Sequence, residues 1–436
     1  MGSTTTAGAR RLTAMATAAV LAAGVSACSS SKSGGSAGGA DKGSFTYWSM
    51  WKATEPQAKV LQAAITQFTA DTGIKVNVQF VGRDVKKQIG PAEAAGKAPD
   101  LWDMDDGAIY TDLASEGKAT DLSPVLDMQI PGESQKVSDV IPAKYFQQEQ
   151  KDPKGGQHWI MPYEVTLSAM FYNAADPNLQ AAMPSPPATW ADFLKVCAAL
   201  KAKNEACVAS EGEDQWTNGL YFDYLVNAAG VNFKDVVDDK TGAAWDNPAI
   251  LTAANDLEQL VKGGYLISGY DATKYPAQET NWANGKAAFY MDGNYVTDEV
   301  AKEVPGTWKF GTMLPPGASS PNTTLFGFSV PAGAKHVSQA EQFIAYFLAK
   351  KNLSGIATTA GNLTPRADIP APAPLADAEK IMAAGTPRQD MDGASGDWNA
   401  KVWTQDFLDF WHGKTDAAGL VAKLKSDTVQ YWKTQG

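Results

Sequence analysis

Apolar residues recur along this chain at two spacings, and each switch between them marks an element. Residues 44–48 form a short run of β-formers and read as the first strand. Over 55–72 the spacing becomes helical, with Val60, Leu61, Ile65 and Phe68 on one face, and Gly73 stops the helix. Residues 74–80 then alternate apolar and polar as a second strand. Strand, helix and strand in this order make a βαβ unit, hence a parallel sheet. A turn and a third short strand over 97–104 end among Asp103, Asp105 and Asp106, and a short helix over 109–116 stops at Gly117.

Further along, 158–164 is extended and 167–173 is a buried strand. The spacing predicts helices over 190–203, where Thr189 offers a cap, and over 217–229 and 248–262. Strands follow over 287–292, 310–314 and 324–330, then a strongly periodic helix over 338–350. A Pro/Ala linker at 370–374 precedes a helical tail, 398–432, that is rich in Trp. There is no internal repeat.

The N-terminus reads differently. Arg10 and Arg11 precede an apolar run over 12–24, and no acidic residue occurs in 1–27. A charged start, a short apolar middle and small residues at the end make a secretory signal, and the run is too short for a stable membrane span. Val25-Ser26-Ala27-Cys28 resembles a bacterial lipobox, which implies that Cys28 becomes the first residue and carries lipid on its sulfur. The stretch 29–42 (SSSKSGGSAGGADK) is Gly/Ser-rich and cannot pack a core, so it reads as a flexible tether. The expected order is signal peptide over 1–27, lipidated Cys and linker over 28–43, then a folded body outside the membrane.

The roughly 400 residues of that body exceed what one core usually holds, so two lobes are expected. The formal charge is −11, and losing Arg10 and Arg11 makes it more negative. An acidic body without a basic run argues against nucleic acid or an anionic lipid surface as partner. Cys197 falls on a helical pattern and Cys207 opens the next extended piece. In an oxidising compartment a bridge between them would close a loop of about ten residues and add up to about 3 kcal/mol. Three His and these two Cys give no metal-ligand spacing, and no cofactor motif is present.

The landmarks then fall in a recognisable order. TYWSMW at 46–51, GIKVNVQF and KAPDLWDM are followed by WIMPYE, MFYN and PATWADF. WANGKAAFYMDGNY, FGFSVPAG, FIAYFLA and GNLTPRAD complete the series. Together, from about Phe45 to the C-terminus, they resemble the sugar-type solute-binding lipoproteins of ABC importers, the group similar to maltose-binding protein. The resemblance implies an α/β fold of type II periplasmic-binding-protein kind. Its two lobes are mostly parallel sheets flanked by helices, joined by hinge crossings, with ligand in the cleft. Mapped here, the crossings fall at 160–164, 290–294 and 326–330. The first lobe would comprise 44–160 plus 292–326, and the second 165–288 plus 330–436.

Sugars present apolar ring faces and hydroxyls, so a site needs flat aromatic platforms and carboxylates or amides. The chain has 13 Trp and 14 Tyr. Trp48 and Trp51 follow the first strand; Asp103, Asp105 and Asp106 follow the third. Tyr163 and Glu164 follow the first mapped crossing. Trp216 opens a helix and offers a stacking face, as does Trp398 after a Gly/Asp-rich loop. On the resemblance, Asp292 and Asn294 lie on the second crossing, Gly327 and Phe328 on the third, and Arg366 in a late site motif. Binding without chemistry is the first expectation: a monomeric, lipid-anchored receptor that delivers a mono- or oligosaccharide to permease subunits. A secreted glycoside hydrolase would need two opposed carboxylates, which Asp103, Asp106 and Glu164 could supply. A polyamine or peptide receptor is the third reading.

Overall fold

The computed structural model describes residues 43–147, 149, 150, 153 and 158–435. The signal segment, Cys28 and the tether up to residue 42 lie outside the described residues. Among the described residues no helix is long and apolar enough to cross a membrane.

The chain opens with β1 (Ser44–Ser49), α1 (Pro56–Thr72) and β2 (Lys75–Phe80). Pro56 sits in the first turn of α1, where a missing N–H costs nothing. Gly73 ends the helix at φ 78°, with its N–H donating to Thr69 O at 2.9 Å. Next come α2 (Lys86–Ala94), β3 (Leu101–Asp105) and α3 (Asp106–Asp112). β1 pairs in parallel with both β2 and β3.

The extended piece and the buried strand expected after residue 158 form one strand, β4 (Met161–Asn173), with an irregularity between Pro162 and Glu164. Helix α4 (Trp190–Lys201), capped by Thr189, leads to β5 (Ala206–Ala209). A disulfide between Cys197 and Cys207, S–S 2.03 Å, ties these two elements together. Then follow α5 (Gly219–Ala228), α6 (Pro248–Lys262), α7 (Ala277–Ala283), β6 (Ala287–Gly293) and α8 (Val296–Glu299). β7 (Phe310–Met313), β8 (Asn322–Ser329), α9 (Val337–Phe347), α10 (Lys350–Thr358) and α11 (Ala376–Ala384) come next. The tail holds α12 (Thr404–Trp411) and α13 (Ala417–Gln435).

The strands form a mixed sheet in the order β2-β1-β3-β8-β4-β6-β5, with β7 beside β4. β5 and β6 are parallel, whereas β8 runs antiparallel to β3 and β4. β4 carries the sheet from one lobe to the other, pairing with β8 over 161–168 and with β6 over 168–172. One buried cluster centres on Tyr47, Leu61, Phe68, Trp102, Phe328, Phe343 and Phe347 and continues beneath the crossing. A second gathers Phe193, Phe222, Trp245, Leu257, Trp398, Trp403 and Trp411.

The lobes divide differently from the mapped boundaries. α9 and α10 pack on α1, and α9 also on β1, so the stretch after β8 returns to the first lobe before entering the second. Gly355 permits this: a methyl group there would meet Val60 Cγ1 at 2.7 Å. β7 pairs with the 170–173 end of β4, which puts 310–313 at the second-lobe end of that strand, whereas Val296 and Val300 are buried in the first cluster. The third connection runs instead after α10, where Val165 N donates to Leu363 O at 3.0 Å and α11 goes on to pack on β7.

Candidate functional site

β3 ends at Asp105 opposite Phe326 of β8, and β6 ends at Gly293 opposite Ser168, which faces Asn322 at the start of β8. The parallel strands of both lobes therefore aim their carboxyl ends at the crossing, where such sheets bind ligands. An opening of about 1140 Å³ lies there. The first lobe lines it with Lys86, Lys87, Asp105, Asp106, Tyr110 and Asp112. The second contributes Gln389, Asp390, Ser395, Asp397 and Trp432, and β8 contributes Thr323 and Thr324.

Asp105 caps α3, accepting from Ala108 N at 2.8 Å, and this turns Asp106 inward. Asp106 Oδ2 accepts from Gln389 Nε2 at 3.0 Å, and Oδ1 accepts from Gly107 N at 3.1 Å. Burial, with Asp105's charge adding to it, pushes the Asp106 carboxyl up to about 7 against the Gln389 hydrogen bond. Burial likewise raises Asp112 to about 6.

Behind this wall the residues after β1 join a buried chain. Trp51 Nε1 donates to Tyr163 Oη at 2.7 Å, and Tyr163 Oη donates to Asp103 Oδ2 at 2.5 Å. Asp103 Oδ1 accepts from Met50 N at 3.1 Å, and burial raises its carboxyl to about 6. The Arg83 guanidinium lies 4.4 Å from the Trp51 ring centroid. Glu164 is 1% exposed. Its Oε1 accepts from Asn362 Nδ2 at 3.0 Å and Gln57 Nε2 at 3.4 Å, while Oε2 has no partner. Burial pushes Glu164 up to about 8. Asn362 Oδ1 in turn accepts from Asn294 Nδ2 at 2.9 Å, and Asn294 Oδ1 accepts from Leu167 N at 2.6 Å. A line of amides and a carboxyl thus spans the crossing from β6 to α1.

Four expected ligand residues do other work. Phe328 is core, 4.8 Å from the Tyr163 ring and 5.5 Å from Phe347. Gly327 serves packing: a methyl group would meet Ile160 Cγ1 at 2.5 Å and Met161 O at 2.7 Å. Arg366 is buried between Asp368 and Glu133, both at 2.9 Å, and also donates to Leu348 O. Trp398 is wholly buried, stacked 6.2 Å from Trp245, and donates to Thr428 Oγ1 at 3.0 Å. Trp48 is half-buried on β1 opposite Trp102. Asp292 is buried near the carboxyl end of β6 and Trp216 stands exposed in the loop after β5; neither borders the opening. Gln389 and Asp390 escaped the sequence reading, as did Glu211, Tyr275, Glu279, Tyr295 and Glu299 near the ends of β5 and β6. The Gly/Asp-rich character of 390–397 was the one signal for Asp390.

Two α/β lobes strung on long crossing strands, with strand ends converging on a cleft, define a type II periplasmic-binding-protein-like molecule. The sequence profile of the bacterial extracellular solute-binding protein family matches residues 63–384, and the chain belongs to that family. The multiple sugar-binding protein of Streptococcus mutans is 24% identical over 202 residues, 43% of this chain and 46% of that protein. The match thus spans about half the length of that relative, whose 46% it covers. The crystal structure of the putative binding protein MsmE of Bacillus subtilis, in an open conformation, superposes with TM-score 0.73 at 17% identity, covering 91% of this chain and all (100%) of that one. Apo RafE of Streptococcus pneumoniae gives TM-score 0.72 at 17% identity, covering 89% and 98%. RafE in complex with raffinose gives 0.66 at 17%, covering 88% and 98%. At these identities the likeness is one of fold.

Proposed function

We propose that this protein is an extracytoplasmic receptor that captures a saccharide between its lobes and presents it to the permease of an ABC importer. The observation that carries the reading is the opening of about 1140 Å³ between Asp105 and Asp106 on one lobe and Gln389 and Asp390 on the other. Carboxylates and amides lining one opening from both lobes suit a ligand covered in hydroxyls. The sugar-binding relatives support the same class. Ligand bridging both walls stabilises the closed arrangement, because only there does it touch both lobes. The closed, loaded form is then what the permease distinguishes. Lipid on Cys28 would hold the receptor at the membrane while 29–42 lets the body reach its permease as a monomer.

A thermal-shift screen of the protein against mono- and oligosaccharides, with amines and peptides alongside, tests this. A saccharide well above its Kd raises the midpoint by linkage and is recovered unchanged. A shift with peptides alone would overturn the sugar reading, and cleavage of the bound sugar would point to a hydrolase.

A further inference from the structure

The carboxyl ends of β5 and β6, with α7 packed against both strands, gather four acids from four segments: Glu211 after β5, Glu279 on α7, Asp292 at the end of β6 and Glu299 on α8. Tyrosines serve three of them. Tyr290 Oη donates to Glu211 at 3.2 Å, Tyr295 Oη to Asp292 at 2.9 Å and Tyr275 Oη to Glu299 at 2.8 Å. Among the described residues no lysine or arginine forms an ion pair with any of the four; nearby Lys274 pairs with Glu213 at 3.6 Å. Asp292 is wholly buried and its Oδ2 has no partner, and Glu279, 7% exposed, has Oε2 likewise unpartnered. The charges of Glu279 and Glu299 both act on Asp292 and help to raise its carboxyl, after burial. Burial, and then the charge of Glu299, raises Glu279.

Beside the acids stands Trp216. It is 39% exposed, and with Leu251 it is one of the two large apolar side chains left exposed among the described residues. Its ring meets Tyr275 edge-on at 5.5 Å, and Tyr275 is the residue that donates to Glu299.

Carboxyls brought together without a counter-cation repel one another, and each unpaired buried oxygen adds a desolvation cost. A neutral sugar satisfies some acceptors but leaves the raised carboxyls holding their protons. A protonated amine supplies three N–H donors and the missing charge, and an exposed indole face adds cation–π attraction. We propose that this cluster, at the carboxyl ends of the parallel strands β5 and β6, is a subsite for a protonated amine, and that the captured saccharide carries an amino group. The proposal rests on the sugar-receptor reading and narrows it to amino sugars and their oligomers.

Calorimetric titration of the intact chain, near neutral pH, with a glucosamine oligomer and with its N-acetylated counterpart of equal length tests the inference. The free amine binds about tenfold or more tightly than the acetylated form, the worth of a charge-assisted hydrogen bond. Glu299→Gln removes most of that preference. So does Trp216→Ala, an exposed change that leaves the core untouched. Equal or tighter binding of the acetylated oligomer, or of raffinose, overturns the amine subsite and leaves the sugar receptor standing. Spermidine binding with no saccharide binding overturns the sugar reading and leaves the subsite. Binding of none of these probes overturns both.

Discussion

Gln389 Nε2 donates to Asp106 Oδ2 at 3.0 Å, joining a second-lobe loop to the acidic end of the first-lobe sheet. Both residues line the opening, so the bond ties its two sides together. Gln389→Ala removes an amide that lines the opening and should lower saccharide affinity about tenfold, the worth of one lost hydrogen bond, with little change in Tm. Calorimetry measures it, and unaltered affinity would mean that the loop does not help hold ligand.

The loop is held from beneath. Arg388 forks onto Asp223 at 3.1 and 3.0 Å and reaches Asp392 at 3.3 Å. Asp223 Oδ2 also accepts from Asn322 Nδ2 at 2.5 Å, and Asp392 Oδ2 from Phe233 N at 2.7 Å. Met391 and Asp392 adopt φ 48° and 52°, uncommon for residues with a side chain, so the clamp also maintains strained backbone. Asp223→Ala takes the two-pronged partner from a buried guanidinium, leaves it only the longer contact to Asp392, and should cost about 3 kcal/mol in urea denaturation. A loss below about 1 kcal/mol, the size of a surface pair, would show that Arg388 finds water or another partner.

Glu164 gives a pH signature. Its folded-state carboxyl holds a proton up to about 8, whereas the unfolded chain releases it near the ordinary glutamate value. Between those limits the folded state binds more protons, so stability falls as pH rises from about 4.5 toward 8 and then levels off. Glu164→Gln keeps the shape and removes the titration. Its Tm should decline less steeply than that of the natural protein over this window. Parallel pH profiles would place the titration elsewhere.

The strands and helices were legible because burial writes itself into spacing. Val60, Leu61, Ile65 and Phe68 are all buried on α1, as the pattern requires. Where an element packs is not written locally. The periodic helix α9 has the same pattern whether it covers β1 or a second-lobe strand, so the lobe boundaries were misplaced. Side-chain direction is equally hidden. Asp105 and Asp106 reach the opening, but Phe328 and Trp398 point into cores and Arg366 is consumed by Glu133 and Asp368. Gln389 had no signal at all, because its position depends on Arg388 finding Asp223, far away in sequence.

The disulfide offers a further check. Cys197 and Cys207 are 10 residues apart, and the bond joins α4 to β5. Removing both sulfurs by Cys197→Ser with Cys207→Ser should cost about 2–3 kcal/mol and lower Tm by several degrees. Because neither residue lines the opening, affinity should not change. A reductant should reproduce the Tm loss in the natural protein and have no effect on the double variant.

Calorimetric titration of the intact chain with a saccharide panel tests the central claim most directly, with the ligand recovered afterwards and its mass checked. The account predicts one saccharide bound per chain, released intact, with affinity that falls in Gln389→Ala. Absence of heat with every saccharide, or recovery of a cleaved sugar, would contradict it.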